Sequence, residues 1–226
     1  FIIVNINSKC YTFYVVLSGE KERFIMSKKY VVGLDLGGTK IYTALVDLNG
    51  TIIKEKVVET LAFEGEEAVI NRMMDTIDYV IEGTDKELIK AIGIGAPGAL
   101  DLKEGIVMES PNLPFENFEL VGKIRARYDL PTYLDNDANV ATLGEYRFGA
   151  GKGTENMIYM TVSTGIGGGA ILNGKIFRGS TGNALEIGHT TISQERTRCG
   201  CGNLGCAESL ASGTAIGKRA KEAVNS

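Results

Sequence analysis

From Tyr30 onward, the apolar positions follow two alternating periods. The runs YVVGLDL (30–36), IYTALVDL (41–48) and TIIKEKVVE (51–59) are rich in β-branched residues, which predicts strands. GGTK separates the first two, and Asn49-Gly50 separates the next two. Asn-Gly is a strong hairpin signal because both residues tolerate positive φ, so three antiparallel strands are expected first. Between Glu66 and Glu82 the period changes, with Val69, Ile70, Met73, Ile77, Val80 and Ile81 at helical spacing. KAIGIGA (90–96) then returns as a buried strand. A helix from about Leu120 to Tyr128, a short strand TYLDN (132–136) and a helix from Ala138 to Phe148 complete the order βββαβαβα.

A second round begins at Asn156. NMIYMTVS, GGGAILN and KIFRG repeat the strand, glycine turn, strand arrangement of residues 30–48, and a helix is expected from about Glu208 to Val224. The echo predicts two related α/β domains with a cleft between them. Because the second round stops at Ser226, a C-terminal truncation is expected. Residues 1–25 read differently, as an extension of uncertain origin: Met26 is a candidate start, and an extra N-terminal hairpin is the alternative. The expected division is 1–25, then 26–134 as the first domain with one glycine hairpin, then 135–226 as an incomplete second domain.

The 226 residues are 44% hydrophobic and 23% charged, as in a folded globular chain. A net charge of −4 provides no basic field for nucleic acid or an anionic membrane. The longest apolar stretch, Phe1 to Leu17, is interrupted by Asn5, Asn7, Ser8 and Lys9, short of the roughly 18 residues a membrane helix needs. Cytoplasmic residence is expected. Cys10 stands alone, whereas Cys199, Cys201 and Cys206 cluster, which without a secretory signal argues for metal before disulfides.

Candidate chemistry falls on four segments. DLGGTK (35–40) places an acid at a strand end, then Gly37 and Gly38, whose bare backbone can approach phosphate oxygens, then the hydroxyl of Thr39 and the charge of Lys40. TVSTGIGGGAILNG (161–174) repeats the device with Thr164, Gly165, Gly167 and Gly168. Two such hairpins can hold a polyphosphate, and neither resembles a Walker loop. A valine at Gly38 is accordingly expected to weaken donor binding and leave the acceptor alone. LDNDANVATLGE (134–145) runs a strand into a helix through Asn136, Asp137 and Asn139. Asp137 is a candidate general base, with a helix cap as the alternative, and capping and catalysis can also fall to different members of the trio. Finally, His189, the only histidine, precedes a C-x-C-x4-C cluster in CGCGNLGCAE. Three thiolates and one imidazole fill a closed tetrahedral zinc site, which is structural because no position is left for water.

Together these residues resemble the ROK family of sugar kinases and repressors, from Met26 to the chain end. DLGGTK is similar to its first phosphate motif, STGIGGG to its second, NDAN to its catalytic segment, and EIGH with CGCGNLGCAE to its sugar and zinc signature. The resemblance implies an actin-like ATPase (ribonuclease H-like) α/β fold, with ATP and Mg²⁺ at the hairpins and Asp137 as base. It also implies hexose contacts from Gly98, Asn112, Asn136, Asp137, Glu186, His189 and Glu208. One nitrogen of His189 is implied to bind zinc while the other faces the sugar. Small-molecule hexose and nucleotide are the implied partners, with room for a homodimer or homotetramer. Glucose leads as substrate, through PNLPFENF and the His189–Cys199 spacing; N-acetylmannosamine, N-acetylglucosamine, fructose and allose are alternatives, as is polyphosphate for the donor. A regulator is disfavoured because 34 residues precede Asp35 where a winged helix is expected.

Overall fold

The computed structural model describes residues 2–5, 12–15, 28–194 and 197–225. Two short strands, β1 (Ile2–Asn5) and β2 (Thr12–Val15), pair antiparallel, in keeping with the hairpin alternative for this stretch. Cys10 and Met26 lie outside the described residues. The chain divides into two compact units, Phe1–Lys152 and Gly153–Ser226.

The first unit is built on a five-stranded sheet. Its strands are β3 (Tyr30–Leu36), β4 (Lys40–Asp47), β5 (Ile52–Glu59), β6 (Ile89–Ala96) and β10 (Thr132–Asn136), in the order β10-β6-β3-β4-β5. β3, β6 and β10 are parallel, while β3, β4 and β5 pair antiparallel, as the hairpin signals predict. β3 and β6 read as continuous apolar runs because they are central and buried. β5 is an edge strand whose exposed positions include Glu55, Lys56 and Glu59.

Helix α1 (Glu66–Ile81) packs on β4 and β5. Val69, Ile70, Met73, Ile77 and Val80 meet Val32, Leu34, Leu36 and Ile92 in one core, and the buried hydroxyls of Thr43 and Thr76 satisfy each other at 2.7 Å. α2 (Leu120–Tyr128) adds Leu120, Val121 and Ile124 to that core. It stops at Asp129, which adopts left-handed φ before Leu130-Pro131. α3 (Asp137–Arg147) follows β10 directly. Hydrophobic periodicity missed a small sheet of β7 (Ala99–Asp101), β8 (Ile106–Glu109) and β9 (Glu116–Phe118). These strands are too short to show a period of two.

The second unit holds the antiparallel sheet β11 (Met157–Val162), β12 (Ile166–Leu172) and β13 (Lys175–Phe177). The single helix expected after Glu208 is two: α4 (Ala207–Ala211) and α5 (Gly213–Val224). Ser212 between them is extended, and its hydroxyl caps α5 by accepting the Ala215 N–H. No helix among the described residues is long and apolar enough to cross a membrane.

Candidate functional site

In the first unit, sheet register brings the polar residues to one edge. Asp35 on β3 lies opposite Gly95 on β6, which in turn lies opposite Asp135 on β10. Asp35, Gly98 and Asp137 therefore all sit at or just beyond the carboxyl ends of parallel strands, where open α/β sheets bind ligands. Burial pushes the Asp35 carboxyl up to about 7, the Asp137 charge adds to the rise, and Lys40 opposes it. Asp137 is itself solvent-accessible, but protein crowds its wider surroundings. That desolvation raises its carboxyl, with the Ala138 N–H opposing.

The NDAN trio divides its labour. The Asn136 side-chain oxygen caps α3, accepting from Ala138 N at 3.0 Å and Asn139 N at 3.3 Å. Its amide nitrogen is left as the group able to donate to a hydroxyl. Among the described residues Asp137 accepts only local backbone bonds, from Ala138 N at 2.8 Å and from its own N–H, so the cap does not consume it. Behind both, the Asn139 amide donates to the buried Asp135 carboxylate at 3.2 Å, tying the first turn of α3 to β10.

The hairpin from Gly37 to Thr39 is closed by Gly37 N donating to Lys40 O at 3.0 Å. A Cβ on Gly38 would stand 2.6 Å from Asn112 Cβ and 2.9 Å from the Asn112 carbonyl. Gly38 is therefore required by Asn112 as well as by any phosphate, and the expectation that a valine there spares the acceptor side does not fit this geometry. Gly98, at φ +101°, lies so close to the Glu109 carbonyl and Ser110 that only glycine fits. Gly98 and Asn112 thus flank Ser110, whose buried hydroxyl has no partner among the described residues.

In the second unit, Gly205–Ala207 runs back along Thr190–Ile192 through Ile192 N to Gly205 O and Ala207 N to Thr190 O. This pairing carries Cys206 to His189. A tight turn, Cys199 N to Asn203 O and Gly202 N to Cys199 O, presents Cys199 and Cys201. The ligand atoms of His189, Cys199, Cys201 and Cys206 all lie within 4.8 Å of one another. Cys199 Sγ is 3.6 Å from His189 Nδ1, and Cys201 Sγ is 3.8 Å from Cys206 Sγ. Tetrahedral zinc with Zn–S near 2.3 Å needs S···S near about 3.8 Å, so the donor set and its spacing fit that ion. His189 Nε2 is 3.9 Å from the Glu186 carboxylate.

Glu208 joins this loop to the turn between β11 and β12. Its Oε2 accepts the Ile166 N–H at 2.8 Å and fills the space a Cβ on Gly165 would take, while its Oε1 lies 3.8 Å from Cys199 Sγ. Thr164 and Gly165 form the turn itself. Gly167 and Gly168 belong to β12, with Gly168 packed under Ile187. Residues that sequence reasoning passed over, Thr60, Arg72 and Thr214, hold the two turns from behind. Each is an ordinary side chain without a motif, visible only through its bonds.

Residues 31–226 match the family model described as the ROK family. Over 198 residues the chain is 40% identical to a glucokinase of Thermotoga maritima, covering 87% of this chain and 62% of that protein. The crystal structure of a ROK family glucokinase from Streptomyces griseus, in complex with glucose and AMPPNP, is similar at 39% identity and TM-score 0.77, over 87% of this chain and 61% of that one. A xylose repressor of Caldicellulosiruptor bescii is 36% identical, over 82% of this chain and 47% of the repressor. The chain spans about three fifths of the length of the glucokinases it matches.

Proposed function

This chain belongs to the ROK family and has the actin-like ATPase fold, and on that premise we propose that the protein transfers the γ-phosphoryl group of ATP to a hexose, glucose first among candidates. The observation that carries the reading is the juxtaposition of Asp35, the Gly37–Gly38 turn and Asp137 at one sheet edge of the first unit. The glucokinase relatives and the glucose- and AMPPNP-bound neighbour support the choice of substrates.

In this reading Asp137 accepts the proton of the hexose hydroxyl as that oxygen bonds to the γ-phosphorus and the bond to the β–γ bridging oxygen breaks, releasing ADP. A carboxyl raised by desolvation is a stronger base than a solvated one, which suits that role. Asn136, through its amide nitrogen, and Gly98, Asn112, Glu186, His189 and Glu208 orient the sugar. Gly37, Gly38, Thr39, Lys40, Thr164 and Gly165, with Gly167 and Gly168 on the strand behind, form the donor side. Magnesium, when bound with the nucleotide, neutralises phosphate charge; Asp35 would hold it or its water, and a cation there would relieve the Asp35–Asp137 repulsion. His189, Cys199, Cys201 and Cys206 would hold zinc, which would stabilise the loop; with Nδ1 on the cysteine side, the ring would keep Nε2 toward Glu186.

A sugar-responsive regulator is the second reading, favoured by the likeness to a xylose repressor. The retained Asp137 and both glycine turns argue for the kinase. The test is a coupled assay of the full-length protein over a panel of hexoses with ATP and polyphosphate, with metal analysis of protein purified without added zinc. Turnover of glucose with ATP and about one zinc per chain are expected. No turnover of any hexose would overturn the kinase reading, and zinc near zero in folded, hexose-binding protein would overturn the metal assignment.

A further inference from the structure

The two glycine turns are held from behind by the same device. In the first unit, the Thr60 hydroxyl donates to the Gly37 carbonyl at 2.6 Å, and the Thr60 backbone N–H donates to the Thr39 carbonyl at 2.9 Å. Thr60 is fully buried. Its own carbonyl accepts from Arg72 Nη1 at 3.1 Å, and the other arm of that guanidinium pairs with Glu64. In the second unit, the Thr214 hydroxyl donates to the Thr164 carbonyl at 2.9 Å, and Gly213 N–H donates to the Ser163 carbonyl at 2.8 Å. Thr214 is exposed.

A trans peptide is planar, so pinning a carbonyl also aims the N–H on the opposite side of the same unit. Holding Gly37 O turns the Gly38 N–H away from Thr60, and holding Thr164 O turns the Gly165 N–H away from Thr214. These are the amides that a polyphosphate at each turn would use. We propose that Thr60 and Thr214 are positioning residues, one for each turn, that pre-aim the backbone amides of Gly38 and Gly165 at the phosphate donor. The inference rests on the kinase reading of the turns, and neither threonine touches substrate.

The test uses full-length protein, with ATP-magnesium and glucose affinities measured separately by calorimetry. Thr60→Val removes the hydroxyl, keeps the shape and leaves the Gly37 carbonyl buried without its donor. The ATP dissociation constant should rise roughly tenfold, with glucose affinity within about twofold of wild type, and Thr60→Ser should restore ATP binding. Thr214→Val should raise it only about threefold, since water can replace an exposed hydroxyl. Because Thr214 is exposed, that variant carries the test alone if Thr60→Val does not fold. Unchanged ATP affinity in the folded variants would overturn the positioning role. So would a Thr60→Ser protein as weak as Thr60→Val, or parallel losses of ATP and glucose. If the wild-type protein binds no phosphate donor, the kinase reading falls and this role falls with it, an outcome distinct from wild-type binding that the valines leave untouched.

Discussion

The glycine turns of the two units are alike in sequence and in their threonine hydrogen bonds, and differ in what packs behind them. Behind the first, Leu36 and Ile41 are fully buried, and α1 closes the sheet. Behind the other, β11 turns Ile158, Met160 and Val162 outward at 72%, 59% and 57% exposure. The turn of the second unit draws its order from a polar side: Glu208 bonds the Ile166 N–H and lies against the cysteine cluster. A turn backed by a core needs no metal. A turn with little core behind it would gain by being fastened to the cysteine loop, because a metal held there would supply stability that a small buried area does not.

The comparison also separates chemistry from support, and the largest expected effect tests that separation. The candidate base lies in the first unit, so Asp137→Asn should lower kcat by about 10² to 10⁴-fold, with the fold and hexose affinity kept. The α3 cap is made by Asn136, so the substitution leaves it intact. Steady-state kinetics with circular dichroism checks this. Retention of more than about a third of wild-type kcat would remove Asp137 from the mechanism. On the proposed reading, chelating zinc from the His189–Cys199–Cys201–Cys206 cluster should instead weaken hexose binding with a smaller change in kcat, because that reading assigns its loop to orienting substrate and not to accepting the proton.

Next in size are valines at the two turns, which contrast what each glycine faces. At Gly38 the obstacle is the Asn112 backbone and Cβ, at 2.9 and 2.6 Å, and backbone cannot swing aside. At Gly165 the obstacle is the Glu208 carboxylate, at 2.5 Å, the far end of a rotatable side chain. Gly38→Val should therefore weaken nucleotide and hexose binding together, about 100-fold at the upper end of overpacking costs, and Gly165→Val about tenfold. Titrating each ligand against each variant decides it. Equal losses would show that the turns are held alike after all.

The difference between the turns also marks where sequence reading stopped. The strands of the five-stranded sheet and of β11–β13, with α1, α2 and the cluster around His189, were legible because a hydrophobic period or a ligand spacing encodes them locally. The contact of Gly38 with Asn112 and the fastening of Glu208 to Ile166 were not. Each joins residues more than forty positions apart through a backbone atom, and a backbone atom has no letter in the sequence. The break at Ser212 was missed for a different reason: apolar spacing continues across it, and only the extended backbone and its capping hydroxyl mark the new helix start.

The smallest expected effect separates the turns by pH. The first has Asp35 at its base, with a carboxyl raised to about 7 by burial and by Asp137; the second has Ser163 and Thr164 near the matching place. An acid whose folded pKa exceeds its unfolded value near 3.9 binds protons more tightly in the folded state. Its contribution to stability is fully present below about pH 4 and is lost as pH rises through about 7. Asp35→Asn removes the charge that becomes costly, so it should be nearly neutral at pH 4 and stabilise the unliganded protein at pH 8. The full shift sets an upper limit, and relaxation with partial solvation brings the expected gain to about 1–2 kcal/mol. Urea unfolding of both proteins at pH 4, 6 and 8 measures it. The difference in stability should grow over that range, and the variant should turn over more slowly than wild type, if Asp35 serves the donor side at the expense of the fold. A difference that stays flat with pH would mean that Asp35 is ionised at little cost, and that the first turn is no more strained by charge than the second.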